Sequence, residues 1–254
     1  MNIYTDSGLV KHVQAALKLK TKYMWGGILR EITNAYIDML SGIPAYKTHY
    51  PPERIEELRK CVGKGYYGVD CVGLIKSYYW SGKPNGGVGS PDYGKPGAGP
   101  DVNANAMYAA AKVKGSIKTL PEVPGIIVYC KSSPHVGVYI GNGWVIESTY
   151  SKRGDGVVKT KLSAFKWEHW FQCPYIKYKT TATVPAKIKK CMLAFPAKVR
   201  SEPRASGKLL GRLEAGSTVT VRIGSEKTDN SSGIVYIRLD GEPTRWIIKS
   251  AIKQ

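Results

Sequence analysis

Two side chains sixty-four residues apart, Cys71 and His135, could together make an activated nucleophile. Cys71 lies in Gly68-Val69-Asp70-Cys71-Val72-Gly73-Leu74-Ile75. Val72, Leu74, Ile75, Tyr78 and Tyr79 recur behind it at helical spacing, and Asp70 stands where an N-cap is needed, so the pattern predicts a cysteine at a helix start. Unpaired N–H groups and the positive end of the helix dipole favour thiolate over thiol there. His135 opens His135-Val136-Gly137-Val138-Tyr139-Ile140-Gly141, which alternates like a strand and is followed by Glu147. Histidine can take a thiol proton near neutral pH, and a third polar group would hold its ring in the correct tautomer.

The remaining cysteines and histidines have blander contexts. Cys130 closes the apolar run Ile126-Ile127-Val128-Tyr129 and reads as core, Cys61 falls at the end of a predicted helix, and Cys191 falls in a basic linker. Five cysteines without a Cys-x-x-Cys pair argue against a disulfide framework and against a zinc site, and suit synthesis in a reducing compartment. His169, among aromatic neighbours, reads as structural, as do His12 and His49, which lack a placed partner. Gly82 to Gly99 carries no Walker pattern and no dinucleotide fingerprint, so it is predicted to be a surface loop near the cleft. No metal and no cofactor is expected.

The ordered set of segments resembles the NlpC-type cysteine peptidases, papain-like peptidoglycan hydrolases. Tyr23-Met24-Trp25-Gly26-Gly27, then Asp70-Cys71-Val72-Gly73-Leu74-Ile75, then Pro124-Gly125 before a strand, then His135 to Gly141 with a polar residue twelve positions after the histidine, carry the likeness over roughly residues 7 to 176. The resemblance implies Cys71 as nucleophile, His135 as general base and Glu147 as the group orienting the imidazole. Tyr23 would line the cleft, and Tyr23 and Asp70 would serve substrate or oxyanion. The chain departs from the family at Val72, where a serine associated with holding the stem-peptide terminus is usual, and at Ile126, where aspartate is frequent. Glu147 replaces the commoner histidine, asparagine or glutamine and resembles the CHAP amidase branch. Residues 28–66 form an unusually long separation, predicted to hold a helix with Ile28, Leu29, Ile32, Ala35, Tyr36, Met39 and Leu40 on one face. Gly42 and Pro44 would stop it, and a second helix would open at Pro51-Pro52.

Hairpin register decides which residue can reach His135. A two-residue Asn142-Gly143 turn makes opposed residue numbers sum to 285, which turns Glu147 away and puts Ser148 on the histidine's face. A three-residue Gly141-Asn142-Gly143 loop makes the sum 284 and sets Glu147 diagonally beside His135. The apolar pattern favours neither register. The three-residue loop is adopted because a carboxylate is the better partner, although Asn-Gly by itself suggests the shorter turn.

The fold class expected is α+β: a papain-like catalytic domain, helices packed on an antiparallel sheet, over 1–176, a Thr/Ala/Pro/Lys linker over 177–190, and a small all-β SH3-like barrel over 191–254. The tail resembles bacterial SH3-like domains in its order of Arg200-Ser201-Glu202-Pro203, Gly216 to Val221, and Trp246 shortly before Ala251-Ile252. That likeness implies cell-wall binding, with Tyr236 and Trp246 placed near a binding groove or in the barrel core. Lysine and arginine number 38 against 19 acidic residues, and residues from Lys177 onward hold 16 basic and 6 acidic ones, more than half of the net +19. Such a field favours a polyanionic partner. Without a helix-turn-helix, zinc-finger or RNA-binding motif, peptidoglycan and anionic wall polymers are expected rather than nucleic acid. No membrane span and no signal-peptide pattern is seen, which implies release from the cytoplasm in the manner of a phage endolysin, or secretion with the leader removed. The expected activity is stem-peptide endopeptidase cleavage, with the muramoyl-alanine amidase cut as the near alternative. A papain-fold acyltransferase and a non-enzymatic wall adaptor are the alternatives from other classes.

Overall fold

A computed structural model describes residues 4–93, 99–178, 188–222, 225–241 and 244–253. The chain divides into two compact units, Met1–Val184 and Pro185–Gln254.

The first unit runs α1 (Asp6–Ala16), β1 (Lys20–Tyr23), β2 (Ile28–Glu31), α2 (Asn34–Ser41), α3 (Pro52–Arg59), β3 (Tyr66–Val69), α4 (Cys71–Trp80) and α5 (Ala104–Ala110). Six strands complete it: β4 (Lys114–Ser116), β5 (Ile127–Cys130), β6 (His135–Gly141), β7 (Trp144–Ser151), β8 (Gly154–Lys161) and β9 (His169–Phe171). These six form one antiparallel sheet in the order β4-β9-β5-β6-β7-β8. A second, three-stranded sheet has β3 between a parallel β1 and an antiparallel β2. Helix α4 is buried along its whole length and packs on β6 and β7 with α1 beside it. A helix buried on all sides is a core helix, its Lys76 satisfied by Asp101 and its Ser77 by His12, and this one carries Cys71 at its first position. The architecture is α+β.

Two local expectations change. Ile28 and Leu29 are strand residues, because β2 pairs with β3. The helix starts only after Thr33, whose hydroxyl accepts the Tyr36 N–H at 3.1 Å, and its buried face is Tyr36, Ile37 and Leu40, with Ala35 and Met39 exposed. The β6–β7 turn is the two-residue Asn142-Gly143, both at positive φ (54° and 71°), and not a three-residue loop. A register shift between Tyr139 and Gly141 adds one residue to β6, so Val138 pairs with Ile146 and Tyr139 with Val145, which is the 284 register all the same. Glu122 holds the turn through the Asn142 N–H at 2.6 Å and the Tyr139 hydroxyl.

The second unit contains β10 (Ile188–Met192), β11 (Ala197–Arg200), β12 (Leu209–Leu213), β13 (Thr218–Arg222), β14 (Lys227–Thr228), β15 (Val235–Leu239) and β16 (Arg245–Ile248). They make one antiparallel sheet in the order β10-β13-β15-β16-β11-β12, with β14 on β15. Val199, Val221, Ile237 and Ile247 lie in its core. Lys189, Lys190 and Cys191 are strand residues paired with β13, not linker; residues 179–187 of the expected linker lie outside the described residues, as do 94–98 of the Gly82 to Gly99 loop. Tyr236 and Trp246 are buried, at 2% and 9% exposure, so neither presents a ring to a surface groove. They alternate along β15 and β16 with Ile237 and Ile247 and do not belong to the core that those two residues help to form.

Candidate active site

Asp70 builds the start of α4 with its own side chain. One carboxylate oxygen accepts the Gly73 N–H as N-cap, and the other accepts the Gly26 N–H at 2.7 Å. Its backbone N–H donates to Gly27 O at 3.0 Å, so the Gly26-Gly27 turn and the cysteine helix are one assembly. Gly73 is required by that contact, since a Cβ there would lie 1.8 Å from Gly27 O. Burial raises the Asp70 pKa against the opposing pull of Lys76 and the two N–H groups. Each Asp70 oxygen thus accepts one backbone N–H of this scaffold.

The Cys71 thiol interacts with two side chains, the Tyr23 hydroxyl and the His135 ring. His135 Nε2 lies 2.6 Å from Glu147 Oε2, so Nδ1 is the ring nitrogen that the carboxylate does not engage. Burial works to lower the His135 pKa, but the hydrogen bonds and charges of Cys71 and Glu147 outweigh it and raise the pKa to about 9. Glu147 is fully buried. Arg153 meets both of its oxygens, Nε to Oε1 at 3.2 Å and Nη2 to Oε2 at 3.1 Å, and the Thr160 hydroxyl donates to Oε1 at 2.7 Å. Burial pushes the Glu147 pKa up, whereas His135, Arg153 and Thr160 together bring it down to about 2. Trp167 lies nearly parallel to the imidazole at 5.5 Å, with Phe165 edge-on at 5.4 Å. Ser148, the competing partner, points elsewhere and donates to Val69 O at 2.8 Å, tying β7 to the strand that leads into Cys71.

Tyr23 is gripped through its backbone. Its N–H donates to Asp155 Oδ1 at 2.9 Å, and its carbonyl accepts from Arg54 Nη2 at 2.6 Å. Arg54 and Asp155 pair with each other through two bonds of 2.7 and 2.9 Å, and Lys22 adds 2.8 Å to Asp155. Burial, with Cys71 and Asp70 nearby, keeps the Tyr23 hydroxyl protonated. Arg54 is supplied by α3, so the long 28–66 segment reaches the site through it.

Arg153, Thr160, Arg54 and Asp155 were not singled out by sequence reasoning. Thr160 had a usable signal: Glu147 pairs with Val158, which puts Thr160 diagonally beside it. Arg54 had none, because its partner Asp155 is 101 residues away. The other histidines are structural: His12 is buried between Gly87 O and the Ser77 hydroxyl, both at 2.8 Å, and His49 stacks on Trp25 at 3.6 Å. His169 lies among Tyr108 and Tyr129. Among the described residues no group of three or more His, Cys, Asp or Glu is arranged to hold a metal ion, and no helix is long and apolar enough to cross a membrane.

No protein-family model matches the chain, and no curated protein matches it. Among solved structures it is similar to NlpC2 from Trichomonas vaginalis, with 14% identity over 56% of this chain and a TM-score of 0.24; the match spans 48% of that protein, about half its length. It is also similar to Ly7917, with 13% identity over 98% of this chain and 96% of that one and a TM-score of 0.29. Ly7917 with the hydrolyzing product of MDP gives 14% identity over 70% and 83% of the two chains, at a TM-score of 0.23. At such scores the functional reading has to stand on the residues of the site.

Proposed function

We propose that this chain is a cysteine hydrolase that cleaves amide bonds of the peptidoglycan stem peptide. The observation that carries the reading is the buried array in which a helix-start thiol meets a histidine held by a carboxylate at 2.6 Å. With the His135 pKa raised to about 9, the ring is an imidazolium at neutral pH, and the attacking form of Cys71 is the thiolate. The thiolate attacks the amide carbonyl carbon and forms the C–S bond. The oxyanion so produced is met by the Cys71 N–H, which Asp70 does not cap, and by the Tyr23 hydroxyl. Collapse breaks the C–N bond as the imidazolium gives its proton to the leaving amine. Neutral His135 then takes a proton from water, hydroxide adds to the thioester, and cleavage of the C–S bond restores the ion pair.

The ordered motifs around Tyr23, Cys71 and His135, and a cysteine helix packed on an antiparallel sheet, support the papain-like assignment and with it the wall substrate. Endopeptidase cleavage is the preferred bond choice, and the carboxylate at Glu147 favours the amidase cut as the second reading. The second unit acts as an SH3-like wall-binding module. With Tyr236 and Trp246 buried, an anionic polymer would meet Lys189 and Lys253 in a groove of about 750 Å³ whose third lysine, Lys249, pairs with Glu226 at 3.2 Å. Action on the wall would follow release or secretion, as in endolysins.

Digestion of purified walls, followed by mass spectrometry, tests the proposal. Wild type should create new termini within the stem peptide, and Cys71→Ala should create none while still pelleting with walls. An unchanged wall under wild type would make the chain an adaptor, and substantial lysis by Cys71→Ala would remove the thiol from the mechanism.

A further inference from the structure

A cavity of about 310 Å³ lies between the 28–66 segment and α4. That volume is at the lower end of the range of small-ligand pockets. Its apolar wall comes from Ile28, Tyr36, Leu40, Ile43 and Tyr46, with Gly26 at the edge facing the cysteine helix. Gly26 is held by Asp70, the residue before Cys71, and Lys76, which also lines the cavity, is on the same helix as Cys71. The cavity is thus built on the elements that carry the thiol.

Its polar end is unevenly satisfied. Lys76, 6% exposed, donates to Asp101 at 2.6 Å, and the Tyr93 hydroxyl donates to the other Asp101 oxygen, so that pair is closed on itself. Arg30 gives one of its five N–H donors to Pro91 O at 2.9 Å and faces the same cavity. Arg30, Lys76 and Asp101 together leave one positive charge in excess. At the mouth, Met39 and Tyr93 stand 53% and 59% exposed.

We propose that this cavity is a recognition subsite for the substrate's peptide terminus: a free carboxylate on Arg30 and the adjoining apolar residue against Ile28, Leu40 and the tyrosines. The inference rests on the cysteine-hydrolase reading above and adds to it a preference for stems that end in a free carboxylate. A guanidinium offers a carboxylate two parallel donors, a selectivity that a neutral amide cannot satisfy.

The test uses the synthetic stem tetrapeptide L-Ala-γ-D-Glu-L-Lys-D-Ala with its C-terminus either free or amidated. Binding is measured by calorimetry on the full-length Cys71→Ala protein, and turnover is measured on the wild type. The free acid should bind about tenfold more tightly than the amide, the size of one charge-assisted hydrogen bond. Arg30→Gln should abolish that preference, and Arg30→Lys should restore part of it. Met39→Trp, which narrows the mouth without touching the Arg30 bond to Pro91, should weaken both peptides, and guards against a folding defect in the arginine variant. Equal affinities for acid and amide, or a preference that survives Arg30→Gln, would overturn the subsite. Cleavage by the wild type together with that negative result would leave the hydrolase reading standing. An Arg30-dependent preference with neither peptide nor walls cleaved would overturn the hydrolase reading and leave the site as a carboxylate-binding pocket.

Discussion

Glu147→Gln isolates the charge of the third group while keeping its size and a hydrogen-bond acceptor. His135 is raised from its ordinary 6.5 to about 9 by Cys71 and Glu147 acting against burial, a net gain of roughly 3 kcal/mol for the imidazolium. If Glu147 supplies about half of that, its loss costs ~1.5 kcal/mol, or about tenfold in the population of the charged ring at the upper edge of the pH range. The expected profile of kcat/KM on a soluble stem peptide therefore keeps its shape, but its alkaline limb falls from near pH 9 to nearer 8, with about a tenfold lower rate around the wild-type limb. Glu147→Ala should lose more, about a hundredfold, because it also removes the acceptor and strands the half-hidden Arg153 guanidinium. Stability follows the same linkage. The raised His135 stabilises the fold fully below pH 6.5 and loses that contribution as pH rises through about 9. The lowered Glu147 contributes above 4.5 and loses its contribution as pH falls through about 2, so the full effect of the pair spans roughly pH 4.5 to 6.5. Thermal melts across that range should show both variants losing most there. An alkaline limb that stays near 9 in Glu147→Gln, with rates close to wild type, would refute the orienting role of Glu147.

Arg54→Met should lower kcat about tenfold with little change in KM, since it frees the Tyr23 backbone, and Arg54→Lys should restore little because one ammonium cannot make the two-pronged pairing to Asp155; a kcat per folded molecule equal to wild type would make Arg54 merely structural. Gly137→Ala should destabilise by about 1–3 kcal/mol in denaturant melts and impair turnover, because its Cβ would lie 2.5 Å from Val145 Cγ1, 3.2 Å from Trp167 and 3.3 Å from the Glu147 Cβ; unchanged stability and rate would contradict the packing described around His135. Removing residues 185–254, a unit with its own core, should depress lysis of whole walls far more than cleavage of a soluble stem peptide, and equal losses on both would assign the tail to the active site. Iodoacetamide should modify Cys71 before Cys61 or Cys173, and its rate should track the His135 ring titrated by NMR; modification of Cys173 first would place the reactive thiolate elsewhere.

Much of the site was legible because its signals are local. Asp70 caps and Cys71 opens a helix whose apolar residues follow at once, and the tail strands follow alternation and turns. The hairpin shows where local rules run out. Asn142-Gly143 forms the short turn that its composition implies, yet the extra residue on β6 shifts the pairing, and nothing in Tyr139-Ile140-Gly141 alone announces that shift. Glu122, which holds the turn, is 20 residues upstream of Asn142. Ile28 and Leu29 failed similarly: their spacing suits a helix face, and only the presence of β3 beside them makes a strand. Burial of Tyr236 and Trp246 was open for the same reason, since aromatic residues suit a groove and a core equally well in sequence.

The charges around His135 constrain its protonation more tightly than any single distance. Glu147 is held ionised by Arg153, and those two cancel. What remains is Cys71 and His135, buried at 7% and 9% exposure. Thiol with imidazole and thiolate with imidazolium both leave the array neutral, whereas thiolate with imidazole, or thiol with imidazolium, would bury a net charge at a cost of several kcal/mol. The Glu147 contact at 2.6 Å favours the charged ring. Arg153 matters to this balance even if it never touches substrate: without it, Glu147 could be neutralised only by His135, and the imidazolium proton needed by the leaving amine would be held too firmly to transfer.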